Sequence, residues 1–427
     1  MKSRVKGLVF DQLEFLVADA HYQLGDWVKA APLYRDFVEA KPKSVNADTA
    51  LNRAGHAFEN LKKFNEAIAA YQKLVVNYPH SDKLPPACLK LGEWYAKSKQ
   101  YSKAKAVLQR VVALTEHDLR PEAEYKLAFV ESGEGDVAAA AKRFGVMVDT
   151  FPQHELAADA RLQQGMKLFD ADQFPGAQTA LQKFIADYPK HEKIEDATYQ
   201  LGFSQVKQDQ WQEALASFAK VPETSRYRAD ALYQSAWCQK GADKKPDAVP
   251  YYEELLAEFP ESPLANTSSL ELAELEYEAN KLNEAIRRVQ GLILKKPKKD
   301  LLARAQRLLG LVYYDQKDFD KALLNFQDVV KASKPTRRSK GDELGAEAQF
   351  RMGQCYYEQE MFDKAIEEYK KVESGFAFPL WQSMAIYEVA VTLARKGDEA
   401  EAQEQLKQLV EKFPDTPAAA EAKAKLK

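Results

Sequence analysis

The stretch from residue 52 to residue 79, NRAGHAFENLKKFNEAIAAYQKLVVNYP, carries the pattern that decides the fold. Gly55 lies twelve residues before Ala67, and Phe64 lies three residues before it. Pro79 follows twelve residues after that alanine. Small residues let two helices approach closely, an aromatic residue closes the turn between them, and proline ends the second helix because it lacks an N–H and clashes with the preceding turn. The stretch therefore predicts two antiparallel helices followed by a stop.

The same pattern recurs along the whole chain of 427 residues. The central alanine returns at intervals of 36 or 37 residues, apart from one interval of 34 and one of 43. The series is Ala30, Ala67, Ala104, Ala140, Ala177, Ala214, Ala248, Ala285, Ala322, Ala365 and Ala402. One helix pair cannot bury its apolar face alone, so successive pairs must stack and share a core. The sequence predicts an all-α chain of about eleven helix pairs without a β-sheet.

This frame of small residue, aromatic, alanine and proline resembles the tetratricopeptide repeat proteins over almost the whole chain. The resemblance implies a right-handed superhelical solenoid, with residues 1–427 forming a single domain. Repeats one to nine are expected at 8–330, a basic insertion at 331–345, and repeats ten and eleven with a C-terminal capping helix at 346–427. Aromatic-Pro turns between repeats, such as FPQHELAADA at 151–160, are similar to a subtype common in bacterial cell-envelope proteins.

Composition and charge argue against several function classes. The chain is 45% apolar and 29% charged, and its net charge of −3 gives no overall basic field to attract nucleic acid. No apolar run approaches the roughly 18 residues that predict a membrane-spanning helix. Cys88, Cys238 and Cys355 lie far apart within helical patterns. They are therefore predicted to be buried single thiols, and neither a disulfide framework nor a zinc site is expected.

Chemistry-bearing motifs are missing from the sequence. Histidines recur every 37 residues at His80, His117, His154 and His191, in turns between repeats. Stacked repeats hold such residues too far apart to share a metal ion, whose bonds to nitrogen are about 2 Å long. The glycine-containing stretch ESGEGDV at 131–137 joins two helices, which is the wrong context for a phosphate-binding loop. We therefore predict no catalytic pair, no metal site, no cofactor and no enzyme activity.

An acidic and aromatic stripe recurs on the first helices of repeats four to seven. The resemblance implies that frame positions 2, 5 and 9 of each first helix line the concave groove. The candidate partner-binding residues at these positions are the acids Glu122, Asp159, Asp196 and Asp230, the tyrosines Tyr125, Tyr199 and Tyr233, and the following aromatics Phe129, Phe203 and Trp237. Aromatic side chains give large contact areas at low entropy cost, and carboxylates pair with Lys or Arg of a ligand.

Two interpretations of these rings stay open, because they either bind a partner or mainly pack neighbouring repeats together. A chaperone C-terminal carboxylate is not an expected ligand. The resemblance would require Lys at position 5 with Asn at position 9, whereas pairs here include Asn52 with His56 and Leu89 with Glu93. The insertion also has two interpretations, a solvated loop or a docking loop for an acidic partner. Its basic residues are Lys331, Lys334, Arg337, Arg338 and Lys340.

The favoured function is a non-enzymatic scaffold that binds a protein or peptide segment in its groove, within a bacterial envelope complex and in the periplasm. One alternative is the superhelical arm of a larger cell-wall enzyme whose catalytic domain lies outside these residues. Another is a structural spacer that self-associates, and the alternative location is the cytoplasm. The first helix pattern already includes residue 8, which would fit the cut edge of a longer protein.

Overall fold

The structure is a computed structural model that describes residues 2–333 and 341–426, with side chains from residue 13 onward. Two compact units divide the chain, Met1–Pro222 and Glu223–Lys427. Helices occupy most of the described residues, and no β-strand occurs among them. The predicted all-α helical repeat is therefore confirmed, while the right-handed superhelical path stays a prediction.

The first unit contains six helix pairs within its described residues. Their bounds are α1 (Lys2–Gln23), α2 (Trp27–Ala40), α3 (Ala47–Asn60), α4 (Phe64–Asn77), α5 (Leu84–Lys97), α6 (Tyr101–Val112), α7 (Arg120–Gly133), α8 (Val137–Thr150), α9 (Ala157–Asp170), α10 (Phe174–Asp187), α11 (Ile194–Val206) and α12 (Trp211–Phe218).

The second unit contains five helix pairs and one further helix, counted over its described ranges. Their bounds are α13 (Arg228–Gly241), α14 (Val249–Glu258), α15 (Ala265–Glu278), α16 (Leu282–Leu294), α17 (Lys299–Asp315), α18 (Phe319–Ala332), α19 (Glu343–Glu358), α20 (Phe362–Gly375), α21 (Pro379–Lys396), α22 (Glu399–Lys412) and α23 (Pro417–Lys425). A 3-10 turn, Lys245–Ala248, leads into α14, where Pro246 and Pro250 bracket the helix start.

The small residue of each first helix lies against a large buried side chain of its second helix. A Cβ atom added to Gly55 would come within 2.5 Å of the Tyr71 ring. At Gly310 the same atom would come within 2.6 Å of the ring of Phe326, a side chain with no exposed surface. Glycine is needed here because the two helices cross too closely for any larger residue. The predicted role of the small residues is confirmed at these crossings.

The second helices end where the proline pattern predicts. The helices α4, α8 and α10 each end two residues before a proline, at Pro79, Pro152 and Pro189. In the turn after α4, the Tyr78 N–H donates to the Leu74 carbonyl at 2.9 Å. The Tyr78 hydroxyl donates to the Pro42 carbonyl of the preceding repeat at 2.6 Å. The aromatic-Pro turn therefore both stops a helix and ties two repeats together.

The turn inside each pair depends on one residue in the left-handed backbone region. This residue lies two positions before the second helix in ten of the eleven described pairs, and two positions before the 3-10 turn that leads into α14 in the other pair. Three of the eleven are glycines, and the other eight have φ between 56° and 59°. The full set is Gly25, Lys62, Lys99, Gly135, Asp172, Asp209, Asp243, Asn280, Lys317, Glu360 and Gly397.

The three cysteines are buried and free, as predicted. Burial raises the pKa of the Cys88 and Cys238 thiols to about 11 and that of Cys355 to about 12. These thiols therefore stay protonated at neutral pH and serve as small apolar side chains. Over the described residues, the helices lack either the length or the apolar character that crossing a bilayer demands.

Both ends of the predicted basic insertion at 331–345 lie in helices. Lys331 belongs to the last turn of α18, and its Nζ lies 3.3 Å from an Asp328 oxygen. At the other end, the Asp342 side chain caps α19 by accepting from the Gly345 N–H at 2.8 Å. The remaining basic residues of that prediction, Lys334, Arg337, Arg338 and Lys340, lie outside the described residues.

Candidate functional site

Two predicted aromatic residues of the first unit, Tyr125 and Phe129, form a three-ring cluster with Phe144. Both lie on α7, one helical turn apart, and Phe144 comes from α8 of the same pair. The ring centroids of Tyr125 and Phe129 are 5.1 Å apart, and each ring meets Phe144 edge to face, at 5.5 Å and 5.1 Å. Phe144 is fully buried, whereas Phe129 keeps 42% of its surface exposed. The cluster therefore fixes Phe129 while leaving part of its ring in solvent.

The same arrangement returns at Tyr199 and Phe203. These residues lie on α11, with ring centroids 5.0 Å apart, and both rings pack on Phe218 of α12 at 6.0 Å and 5.8 Å. Phe218 is almost fully buried. Ring packing onto the second helix of the same pair thus recurs two repeats later. We call Tyr125, Phe129, Tyr199 and Phe203 the first aromatic face.

Two of the predicted acids are paired with lysines of the protein itself. A Glu122 oxygen lies 3.3 Å from Lys126 Nζ, one turn along α7. Lys193 Nζ, in the turn before α11, donates to Asp159 of α9 at 2.6 Å, and this bond is the main cause that raises the pKa of Lys193. Asp196 lies in the first turn of α11. A ligand cation at Glu122 or Asp159 would therefore have to compete with an internal lysine.

In the second unit, Tyr233 and Trp237 lie one turn apart on α13. The Tyr233 ring packs edge to face on the buried Tyr252 of α14, with centroids 6.0 Å apart, and burial raises the pKa of the Tyr233 phenol. Trp237 is 47% exposed. The third predicted residue of this unit, Asp230, lies in the first turn of the same helix. We call Tyr233 and Trp237 the second aromatic face.

A row of ion pairs crosses the first helices of the second unit next to this face. Lys240 of α13 reaches Glu271 of α15 at 2.5 Å. Arg304 of α17 then bridges Glu271 and Glu274, each at 3.3 Å. Burial, with the nearby Glu271 charge, raises the pKa of Glu274 even though Arg304 opposes the shift. Carboxylates of one repeat are therefore shared with basic side chains of the repeats on either side.

A cleft of about 330 Å³ opens on the first helices α1, α3, α5 and α7 of the first unit. Its lining includes Asn52 and His56 from α3, Leu89 and Glu93 from α5, and Lys126 from α7. Glu122 is the one predicted site residue that borders this cleft.

Sequence reasoning considered Asn52, His56, Leu89 and Glu93 only as a failed carboxylate clamp, and so missed the cleft. The signal was present, because these residues occupy frame positions 5 and 9 of adjacent repeats.

The periodic histidines form hydrogen bonds within the turns between repeats. Nδ1 of His117, His154 and His191 accepts a hydrogen bond from the backbone N–H two residues further on, at 3.0 to 3.2 Å. This confirms the prediction that they are turn or helix-start residues. No group of three or more His, Cys, Asp or Glu side chains within the described ranges is arranged to hold a metal ion.

Models of known protein families match most of the chain. Residues 217–376 match a tetratricopeptide repeat-like domain. Residues 15–82, 87–114 and 384–416 match tetratricopeptide repeat families. Residues 117–228 match the outer membrane lipoprotein family YfiO. A comparison with curated proteins finds no match.

Several solved structures are similar to this chain, each at low sequence identity. The complex of Naa15/Naa10 bound to HypK-THB has 14% identity and a TM-score of 0.48, over 95% of this chain and 64% of that one. The chain thus spans less than two thirds of that relative. The structure of pilF of Pseudomonas aeruginosa has 18% sequence identity and a TM-score of 0.40, over 55% of this chain and 98% of that one.

A third similar structure is YrrB, described as a TPR protein with an unusual peptide-binding site. Its identity is 19% and its TM-score 0.38, over 46% of this chain and 95% of that one. At TM-scores below 0.5 these likenesses carry no functional conclusion. The repeated helix pairs, the small residues at their crossings and the family matches together show that the chain belongs to the tetratricopeptide repeat proteins, whose repeats serve as protein-interaction scaffolds.

Proposed function

We propose that this chain is a non-enzymatic scaffold that holds a segment of a partner protein against its first-helix faces, as part of a bacterial envelope complex. The observation that carries the proposal is the exposed, rigidly held ring of Phe129. Its inner edge packs on Tyr125 and Phe144, yet 42% of its surface faces solvent. A preorganised apolar ring loses little entropy on binding, which is typical of residues that dominate interface energies.

The first aromatic face supplies affinity in this proposal, and the acids supply orientation. Tyr125 and Tyr199 add apolar area next to Phe129 and Phe203, and tyrosine also offers a hydroxyl. Glu122, Asp159 and Asp196 would orient a cationic partner group, with Lys126 and Lys193 as internal competitors. In the second unit, Tyr233 and Trp237 form a separate surface of the same kind, with Asp230 on the same helix.

An envelope location is supported by where the lipoprotein match falls. The match to the outer membrane lipoprotein family covers residues 117–228, which contain the whole first aromatic face. The aromatic-Pro turns of the repeats also fit that setting. On this basis we assign the scaffold to the periplasmic side of a bacterial envelope.

Affinity capture from an envelope fraction of the native host tests the proposal. Removing two rings with Phe129→Ala and Phe203→Ala should reduce capture of a bound partner more than tenfold, because truncating a hot-spot residue costs about 2 kcal/mol or more. The matched control is Val146→Ala, which removes an exposed apolar side chain from α8, the second helix of the Phe129 repeat.

Circular dichroism melts establish that both variants fold. The control should capture the partner as the wild type does. Equal capture by the double variant would show that the rings only pack the repeats, and the scaffold assignment to this face would then be wrong. A separate Trp237→Ala variant tests the second aromatic face.

A further inference from the structure

The helix α1 exposes three large apolar side chains on its outer side, more than any other helix does among the described residues. They are Leu13, Leu16 and Val17, with 55%, 56% and 46% of their surfaces exposed. The neighbouring α2 adds the exposed Leu33, and Leu13, Val17 and Leu33 together line a pocket of about 390 Å³. We call these four residues the α1 face. A contiguous exposed apolar patch of this kind marks an interaction surface.

The matching positions of α3 are covered by the preceding helix pair. Ala50 and Ala54 lie 37 residues after Leu13 and Val17, and both are buried. The helix that covers them is α2, which packs along α3. The α1 face is thus the side of a first helix that a second helix covers elsewhere in the array.

Leu13 does not suit one more repeat packed in the same way. It lies five residues before Ala18, the small residue of its helix. At this position the other ten described pairs have a buried alanine or, at Ser268, a buried serine. A small side chain there lets the preceding second helix approach closely, whereas a leucine would push that helix away. The α1 face therefore suits a helix that packs less closely than a neighbouring repeat does.

The charges of α1 are divided between its two halves. The first ten residues of the chain carry three basic and no acidic side chains, and the next ten carry three acidic and no basic ones. The basic residues are Lys2, Arg4 and Lys6, and the acidic ones are Asp11, Glu14 and Asp19. Two such helices packed antiparallel bring each basic half beside an acidic half, whereas a parallel pair brings like charges together. The sequence of α1 is therefore complementary to itself in the antiparallel orientation.

Part of the acidic charge is open to a second helix. Glu14 pairs with Lys41 at 2.5 Å but keeps 56% of its side chain exposed. Asp19 instead accepts hydrogen bonds from Tyr34 and Arg53 of the same unit. Glu14 and Asp36 also border the pocket, where they would repel an anionic lipid surface. Charge on this face therefore favours a protein helix and sets its orientation, while the apolar area supplies affinity.

We propose that the α1 face binds the same face of a second copy of this chain, with the two α1 helices antiparallel about a twofold axis. Such an interface uses one patch twice, so the patch must be complementary to itself, as α1 is. At 22 residues α1 is about 33 Å long, which allows several turns of contact. The dimer goes beyond the proposed scaffold function, because it uses residues outside both aromatic faces and would present two scaffolds together.

Analytical ultracentrifugation of the full-length chain tests the dimer. Its average mass should rise towards that of two chains between about 1 µM and 100 µM, a range that brackets micromolar dissociation constants. Leu13→Lys with Val17→Lys should weaken association at least about tenfold, because the interface would then bury unpaired charges. The matched control is Leu324→Lys with Val146→Lys, which replaces the same residue types at exposed positions of α18 and α8. The control should associate as the wild type does.

The dependence on salt tests the orientation of the two helices. Raising the salt concentration from about 0.05 M to 0.5 M shortens the screening length several-fold. Association of the wild type should weaken over this range, because opposite charges attract in the antiparallel pair. Arg4→Glu with Lys6→Glu leaves both halves of α1 with acidic side chains. This variant should associate less at low salt and recover as salt is added.

Four outcomes would overturn the proposal. The first is a wild type that stays a single chain at every concentration. The second is equal weakening by the two lysine pairs, because added charge and not the α1 face would then be the cause. The third is association of the wild type that strengthens with salt, which would indicate parallel helices. The fourth is a single chain that binds phosphatidylglycerol vesicles through Leu13 and Val17, which would assign the face to a lipid surface.

Two further measurements keep these results distinct from folding and from partner binding. Circular dichroism melts establish that each variant folds, as expected for substitutions at exposed positions. Capture of a partner through the aromatic faces should be the same for the wild type and for Leu13→Lys with Val17→Lys. The dimer and the scaffold function can therefore fail separately.

Discussion

Gly310 sets the distance between two helices by having no side chain. An added Cβ would come within 2.6 Å of the Phe326 ring, which is fully buried. Gly291 of α16 differs, because an added Cβ there meets nothing within 4 Å. Packing therefore requires a glycine at position 310. Gly291 meets no such requirement and only adds the entropy loss that glycine brings to a helix.

Replacing these glycines should have opposite effects on stability. Gly310→Ala should lower the free energy of unfolding by about 1–3 kcal/mol, the usual effect of overpacking a core. Gly291→Ala should raise it by about 0.5–1 kcal/mol, because alanine removes backbone freedom from the unfolded chain. Both lie in the second unit, so urea titration of each full-length variant is a like-for-like comparison. Equal effects of the two changes would contradict this account.

At the scale of helix pairs, α7 and α8 are joined by a buried ionic cluster. Arg143 of α8 donates two hydrogen bonds to Glu131 at 2.8 Å and one to Glu124 at 2.7 Å, and both glutamates are almost fully buried. The hydrogen bonds that Arg143 donates to Glu131 are the largest cause that raises the pKa of Arg143 above its ordinary value, although burial opposes the shift. The cluster therefore stabilises the pairing of two helices that carry part of the first aromatic face.

Arg143→Met should destabilise the protein by about 3 kcal/mol, the lower end of the range for breaking a buried pair, since the arginine is one-quarter exposed. A raised arginine pKa contributes its stabilisation at every pH below the ordinary value, so this residue gives the wild type no pH dependence near neutrality. In the variant Glu131 loses its cation, and among the described residues Glu124 keeps only Arg120, whose Nε lies 3.9 Å from it.

The wild type should therefore melt at a higher temperature than the Arg143→Met variant. Thermal melts at neutral pH measure this difference. Arg35→Ala is the control, because it removes a pair with Asp36 in which both side chains are more than half exposed. That change should shift stability by less than about 1 kcal/mol. A loss of stability for Arg143→Met no larger than that for Arg35→Ala would contradict the role given to the two carboxylates.

The helix pairs could be predicted from the sequence, because each depends on local residues at fixed spacing. Pro79 marks the end of α4, and Gly55 marks the crossing of α4 with α3. Both signals can be recognised from the sequence of one repeat, without knowledge of the repeats beside it. The cleft could not be predicted in the same way. It depends on side chains of four first helices meeting side by side, and Asn52 and Leu89 belong to no residue class that attracts notice.

The pairing of the candidate acids was also hidden from the sequence. Lys193 lies 34 residues after Asp159, in a turn that sequence reasoning treated only as a connection between repeats. A contact at that separation follows from stacking one repeat on the next. The aromatic rings were recognised as a stripe, but their packing on Phe144 and Phe218 within the same pair was not anticipated.

Across each unit as a whole, the close contacts join helices that are neighbours or next neighbours in the chain. In the second unit the series ends with α23, whose Ala418, Ala419 and Ala422 are buried in a cluster with Ile386 of α21 and Leu406 of α22. Stability in such an array is the sum of local pair stabilities and nearest-neighbour interfaces. Damage at one place should therefore stay local.

A matched pair of substitutions on α23 tests this locality. Ala419→Glu forces a charge into a site with no exposed surface, whereas Ala420→Glu places the same side chain on the exposed side of the helix. Hydrogen exchange should become faster in α21 to α23 for Ala419→Glu and stay unchanged in α13 to α16. Ala420→Glu should leave both regions at the wild-type rate. Faster exchange throughout the unit would indicate a single cooperative block instead.

The left-handed turn residue in each pair is a position at which a substitution can change the thermal stability of this protein. Eight of the eleven described turns place a Lys, Asp, Asn or Glu in a conformation that disfavours a side chain by about 1–2 kcal/mol. Lys62, Lys99 and Lys317 are exposed at such turns. A glycine at one of them would relieve the backbone locally. A single substitution at such a turn therefore changes the stability of one repeat. It does so without altering the residues proposed to bind a partner.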